Sequence, residues 1–149
     1  MSNKIKIAVD AMGGENSPKK VIAGILENYK NNKDVIYNIF GDENKIKYLL
    51  PNNFDKEIFK IIDTKNKILD TDSPLAAAKK GKDTSMWLAI QSLKNNESDV
   101  AISAGNTGAL FVISKLNLKM IENIDKPALS ALWPNKKNFN VVLDLGANI

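Results

Sequence analysis

Residues 100–102 are apolar and of strand type, residues 110–120 are apolar and of helix length, and between them runs Ser103-Ala104-Gly105-Asn106-Thr107-Gly108-Ala109. A strand that feeds a helix through so short a turn sends the chain back across the sheet, so the natural continuation is a parallel α/β arrangement. Two glycines let the backbone turn sharply. Asn106, Thr107 and the free amides that open the helix can then aim hydrogen-bond donors at an anion, and phosphate is the anion such a turn suits best.

The rest of the chain follows the same rhythm. Strand-length apolar runs recur at residues 5–9, 35–40, 58–62, 100–102, 129–133 and 141–145, and helical patterns separate most of them. Residues 18–30 place Val21, Ile22, Ile25, Leu26 and Tyr29 on one face, with Ser17 available as N-cap and Pro18 in the first turn. Residues 43–50 read as a shorter helix after Gly41-Asp42, and residues 85–93 are apolar almost all round, the mark of a buried helix. Alternation of this kind predicts a three-layer α/β/α fold with a mainly parallel sheet. Trp87 and Trp133 are expected in the core. No internal repeat or low-complexity linker interrupts the pattern. Residues 144–149 resemble a strand end followed by a glycine turn, where a further helix would begin, so the chain reads as a piece of a longer protein.

Composition narrows the chemistry. The 149 residues contain no cysteine and no histidine, which excludes disulfides, thiolate nucleophiles, Ser-His-Asp triads and His- or Cys-ligated metals. Catalysis would rest on Lys, Asp/Glu, hydroxyls and backbone dipoles. The net charge of +4 is spread over 21 basic and 17 acidic residues, without the basic stripe expected of a nucleic-acid binder. Lys6 and Asp10 interrupt the first apolar run, so no secretory signal is read there, and no later stretch approaches membrane-spanning length. A cytoplasmic protein is expected.

Three glycine-bearing polar loops follow expected strands: the loop opening at Asp10 and continuing through Gly13 and Gly14, the turn from Ser103 to Gly108, and the segment from Asp144 to Asn148. Ligands of open parallel sheets gather at that carboxyl edge. Each loop by itself is also explained as an ordinary βα turn with local capping. A second basic element, Lys79-Lys80-Gly81-Lys82-Asp83-Thr84-Ser85, leads into the buried helix and offers both charge and dipole to an anion, although a solvated connection with Thr84 and Ser85 as N-caps fits it too. Asp42 invites comparison with the ribose-binding acid of dinucleotide folds. Yet the first turn reads Met12-Gly13-Gly14-Glu15, which is not Gly-x-Gly-x-x-Gly, and a helix N-cap accounts for Asp42.

Taken in order, Asp10-Ala11-Met12-Gly13-Gly14, Lys82-Asp83-Thr84-Ser85-Met86, residues 103–110, Ile124-Asp125-Lys126-Pro127-Ala128 and Leu143-Asp144-Leu145-Gly146-Ala147-Asn148 resemble the phosphate acyltransferase family called PlsX. Glu15, Gly81 and Thr84 depart from its usual pattern. The resemblance runs along the whole chain but over a little under half of what the family usually has, so residues 1–149 would be the N-terminal portion of a single α/β catalytic domain.

The resemblance implies a fold akin to phosphotransacetylase and isocitrate dehydrogenase, and an enzyme that converts acyl-acyl carrier protein and inorganic phosphate into acyl phosphate and free carrier protein for phospholipid synthesis. It implies a cytoplasmic homodimer, peripheral to the membrane, feeding a downstream membrane acyltransferase, with no cofactor, no metal and no nucleic acid. Lys82 and Asn106 are then the catalytic candidates, Asn106 polarising the thioester carbonyl. Gly13, Gly14, Ser85, Ser103, Gly105, Thr107, Gly108 and Asn148 would bind phosphate or substrate, while Asp10 and Asp144 fix the loops, since bare carboxylates would repel a phosphate. The alternative is a non-catalytic phosphate- or carrier-protein-binding piece of such an enzyme.

Overall fold

The computed structural model describes residues 4–145, which fall into two compact units, one ending at Leu118 and the other beginning at Lys119. The first is the parallel sheet the sequence calls for. Strands β1 (Ile5–Asp10), β2 (Val35–Gly41), β3 (Phe59–Asp63) and β4 (Val100–Ser103) lie in the order β3-β2-β1-β4, all parallel. Helices α1 (Lys19–Asn31) and α2 (Glu43–Leu49) follow β1 and β2. Helices α3 (Pro74–Lys79) and α4 (Ser85–Lys94) lie between β3 and β4, and α5 (Thr107–Asn117) follows β4.

Strand alternation sorts the core into two layers. On one face Val9, Tyr37, Ile39 and Phe59 pack with Ile22 and Ile25 of α1 and Ile46 of α2. There the rings of Tyr37 and Phe59 stack with centroids 5.6 Å apart, and Tyr29 meets Phe59 edge-on at 5.0 Å. On the other face Ala8 and Phe40 meet Ala89 of α4. A further cluster joins Met86, Trp87 and Ile90 of α4 to Ala77 of α3 and to Ala109 and Ile113 of α5.

The sequence placed the strands within about two residues, and it placed α1, α2 and α4 correctly. It missed α3, whose apolar content is only Leu75 and three alanines, and it assigned Lys79 to a basic connection when Lys79 ends this helix. Helix α5 begins at Thr107, ahead of the expected Leu110, because Asn106 caps it and accepts from the amide of Ala109 at 3.0 Å. Ser17 is not the cap of α1. Pro18 holds that position, and the Ser17 hydroxyl donates to the carbonyl of Gly13 instead. Asp42 caps α2, accepting from the amides of Asn44 and Lys45 at 3.1 and 3.2 Å.

The second unit contains the antiparallel hairpin of β5 (Ser130–Pro134) and β6 (Phe139–Leu143), with Leu132 opposite Val141. Trp133 is 61% exposed on it, in contrast to the core position expected, while Trp87 is buried. Strand β6 pairs with β5 and is no member of the parallel sheet. The loop after β6 therefore does not extend from a strand of that sheet, as the sequence reading expected, and Asn148 lies outside the described residues.

Candidate active site

Parallel pairing of β1 with β4 sets Asp10 beside Ser103 and Val9 beside Ile102, so the loops after the two strands leave the sheet side by side. Asp10 is 2% exposed. Its Oδ1 accepts from the Ser85 hydroxyl at 2.6 Å and from the amide of Met12 at 3.2 Å, and its Oδ2 accepts from the Ser103 hydroxyl at 2.7 Å. A buried carboxylate with this many donors is compensated where a bare one would not be. Asp10 thereby ties together the first loop, the start of α4 and the end of β4.

Contact between the two loops is close enough to require glycine. A Cβ on Gly13 would stand 2.5 Å from Asp10 Oδ2 and 2.9 Å from the nitrogen of Gly105, and one on Gly105 would stand 3.1 Å from the Cα of Gly13 and from the Cε of Met86. The sequence reading gave the glycines of the second turn to chain reversal. Gly105 and Gly108 are not among the positive-φ residues, and it is space that fixes them, Gly108 lying where a Cβ would meet Cγ of Pro74 at 2.7 Å. Gly14 has φ +84° and packs against the carbonyl of Ala104.

Beyond this contact the turn opens into α5. The amide of Gly105 donates to Ser103 Oγ at 3.1 Å, and the amides of Thr107 and Gly108 meet no acceptor among the described residues. Two free amides at the positive end of an eleven-residue helix suit an anion. Asn106 is committed elsewhere. Its Oδ1 caps α5, and its Nδ2 donates to the carbonyls of Asp72 at 2.8 Å and Asp70 at 3.2 Å. The carbonyl-polarising role expected of its side chain conflicts with this arrangement, in which both ends of the amide are occupied.

Asn106 thus fastens to the turn a segment that sequence reasoning missed. Asp72 closes it, its Oδ2 accepting from Lys80 Nζ at 2.6 Å and from the amide of Leu69 at 2.7 Å. Those bonds, led by the one from Lys80, hold the Asp72 carboxyl below its ordinary pKa. The only trace of this in sequence is Ser73-Pro74, an N-cap followed by proline at the first turn.

Ser85, expected at the phosphate, is 1% exposed and spends its hydroxyl on Asp10. Thr84 holds the N-cap position of α4 without a side-chain cap bond. Lys82 is exposed, on a turn shaped by Asp83, whose backbone carbonyl accepts from Thr64 Oγ1 and whose carboxylate accepts from Asn66 Nδ2. Among the described residues Lys82 has no ion pair. Asp144 stands after β6 in the second unit, its amide donating to the carbonyl of Leu129 at 3.0 Å. Among the described residues there is no cluster of three or more acidic, His or Cys side chains that could hold a metal, and no helix is long and apolar enough to cross a membrane.

The family model described as fatty acid synthesis protein matches residues 5–149, nearly the whole chain. The chain belongs to that family. It is 68% identical over 149 residues to a phosphate acyltransferase of Pelagibacter ubique, covering all of this chain and 44% of that one. Identity is 41% over 151 residues with a phosphate acyltransferase of Rhodopseudomonas palustris, covering 100% of this chain and 43% of that one. With the phosphate acyltransferase of Ehrlichia canis it is 44% over 150 residues, covering 97% and 44%. The chain therefore spans less than half the length of the curated family members it matches.

Proposed function

We propose that this chain is the phosphate-holding N-terminal portion of a phosphate acyltransferase, which converts acyl-acyl carrier protein and inorganic phosphate into acyl phosphate and free carrier protein. The observation that carries the reading is the pair of unoccupied amides at Thr107 and Gly108, held against the first loop by Asp10 and the Gly13–Gly105 contact. Family membership and the name shared by the relatives support it.

The chemistry fits a chain without histidine or cysteine. Phosphate carries between one and two negative charges near neutral pH and is a nucleophile that needs no base. An oxygen of hydrogen phosphate attacks the thioester carbonyl, the C–O bond forms, the C–S bond breaks, and the phosphate's own proton leaves with sulfur as the thiol. The protein's part is to position the anion and to stabilise charge. In this proposal the amides of Thr107 and Gly108 bind phosphate, Lys82 adds the mobile cation, and Gly14 shapes the floor. Asn106 holds α5 at the correct angle, and Ser85 and Ser103 hold Asp10.

Both units would belong to one catalytic domain completed by the remaining length of the family's chains. The complete enzyme would act as a cytoplasmic homodimer, peripheral to the membrane, and hand acyl phosphate to a membrane acyltransferase of phospholipid synthesis. The test is thiol release from an acyl-acyl carrier protein by the purified chain, with and without phosphate. Phosphate-dependent release is expected. Release that ignores phosphate overturns the proposal.

A second reading has its own observation, the coverage of less than half of each relative. On it the chain binds phosphate or carrier protein without turnover, and phosphate-induced shifts at Thr107 and Gly108 in a chain that releases no thiol would select it.

A further inference from the structure

The chain that leaves β3 does not turn at once onto a face of the sheet. The amide of Thr64 donates to the carbonyl of Gly41, at the end of β2, at 3.1 Å. The carbonyl of Asn66 accepts at 3.0 Å from the amide of Ser85, the residue whose hydroxyl holds Asp10 at the end of β1. The carbonyls of Asp70 and Asp72 accept from Asn106, just past the end of β4. These contacts follow the sheet order β3-β2-β1-β4, so residues 64–73 cross the carboxyl edge strand by strand and finish at the turn that opens α5. Ligands of parallel sheets collect along that edge.

The two halves of this crossing are held differently. Thr64 and Ile68 are buried, and Thr64 and Asn66 both donate to Asp83. After Ile68 no residue is buried until Ala77, which is anchored in the cluster that joins α3 to Ala109 and Ile113 of α5. Residues 69–73 have no helix or strand, yet they form a compact loop. The amide of Leu69 donates to Asp72 Oδ2 at 2.7 Å, and the amide of Asp72 donates to the carbonyl of Leu69 at 3.1 Å. Apart from bonds within the loop and to α3 and its cap Lys80, the hydrogen bonds of residues 69–73 come from Asn106 Nδ2 alone. Solvent-facing segments with so few buried contacts lie at the low end of local stability.

We propose that residues 69–73 are a hinged flap beside the anion position, latched by the side-chain amide of Asn106 and swinging between Ile68 and α3. This deepens the acyl-transfer reading above and rests on it. The latch also connects the flap to the bound anion. Asn106 Oδ1 caps α5 while its Nδ2 holds the flap, and the two ends of one planar amide move together. An anion on the amides of Thr107 and Gly108 fixes that turn, keeps Asn106 in place and so favours the closed flap. Open, the flap clears the edge for a carrier-borne thioester; closed, it limits the water that reaches a labile acyl phosphate.

The test is ¹⁵N relaxation dispersion, which reports exchange on the microsecond-to-millisecond scale, with inorganic phosphate as probe. In the parent chain, dispersion is expected at the amides of residues 69–73 and at the Asn106 side-chain amide, with a common rate, and not at Val9 or Ile39. Saturating phosphate is expected to shift Thr107 and Gly108 and to reduce the dispersion at 69–73 about threefold or more. Asn106→Ser and Asn106→Asp each keep an N-cap oxygen for α5 and remove the latching nitrogen. In both, residues 69–73 should become mobile and stay so when phosphate is added. Flat dispersion across 69–73 in the parent, a loop that stays rigid in both variants, or phosphate that shifts Thr107 and Gly108 without quieting the loop overturns the proposal. The comparison of parent with variants needs no phosphate. A flap that opens in a chain blind to phosphate would therefore refute the acyl-transfer reading and leave the hinge and its latch standing.

Discussion

Asp10 and Ser85 are separated by 75 positions in sequence and by 2.6 Å in the structure, carboxylate to hydroxyl. The bond joins the end of the first strand to the first turn of α4. With Ser103 on the second oxygen, the carboxylate has a donor on each side, and at 2% exposure it is nearly closed off from solvent.

Substituting Asp10→Asn keeps the shape and turns one acceptor into a donor facing a hydroxyl. The expected loss is about 1–3 kcal/mol of folding stability, seen as a lower urea midpoint with an unchanged slope. Phosphate affinity should fall with it. A variant as stable as the parent would show that the carboxylate is not the tie described here.

Gly13→Ala tests the contact between loops. Its Cβ would stand 2.5 Å from Asp10 Oδ2, and both the carboxylate and the Gly105 backbone would have to shift, at a cost of about 1–3 kcal/mol. Ala substituted at Gly24, where nothing lies within 4 Å, is the control and should be neutral or stabilising by about 1 kcal/mol. Thermal melts of the two variants, run together, separate the local effect from a general intolerance of alanine.

Lys82→Ala should leave the fold unchanged, because the side chain is exposed and bonds to nothing among the described residues. If Lys82 supplies the cation, the phosphate concentration giving half-maximal response rises about tenfold or more, and Lys82→Arg recovers part of the loss. Unchanged phosphate dependence would remove Lys82 from the site.

Asp72 carries a pH prediction. Its folded pKa is depressed, first by Lys80 and then by the Leu69 amide, so its contribution is present above the unfolded carboxylate value and is lost as pH falls through the depressed folded value. The segment fastened to Asn106 therefore stays closed through the neutral range and loosens only in strong acid. Lys80→Met should move the Asp72 carboxyl titration upward by ¹³C NMR, and in that variant Asn106 should lose its fixed side-chain amide signals at a higher pH than in the parent.

How much of this was legible beforehand depended on whether the determining physics was local. Val100 to Ile102 is apolar and β-rich in any context, and Pro18 to Lys30 carries its own helical period, so both were readable. Asp10 was read as a residue that fixes loop geometry, but its partners Ser85 and Ser103 could be named only once the β1–β4 pairing was known. Trp133 was placed inside because tryptophan usually is, yet it lies on a hairpin with 61% of its surface exposed. Asn106 was read from its position before a helix as a donor toward substrate. The carbonyls of Asp70 and Asp72, more than thirty residues earlier, decide otherwise, and nothing local to Asn106 records them.

The sheet order β3-β2-β1-β4 has a consequence for how the molecule is made. The first three strands can pair as soon as the ribosome has released them, but the strand that completes the other flank of β1 is synthesised about ninety residues after it, as the Ser103–Asp10 bond records. Until then the Asp10 carboxylate stays hydrated and one side of β1 remains without a neighbour. Closing so long a loop is slow and leaves strand edges exposed meanwhile. Among the described residues the turn after β4 is thus the last part of the parallel sheet to form, and a ribosome stalled before residue 103 holds a nascent chain with a layered core and no Ser103–Asp10 bond.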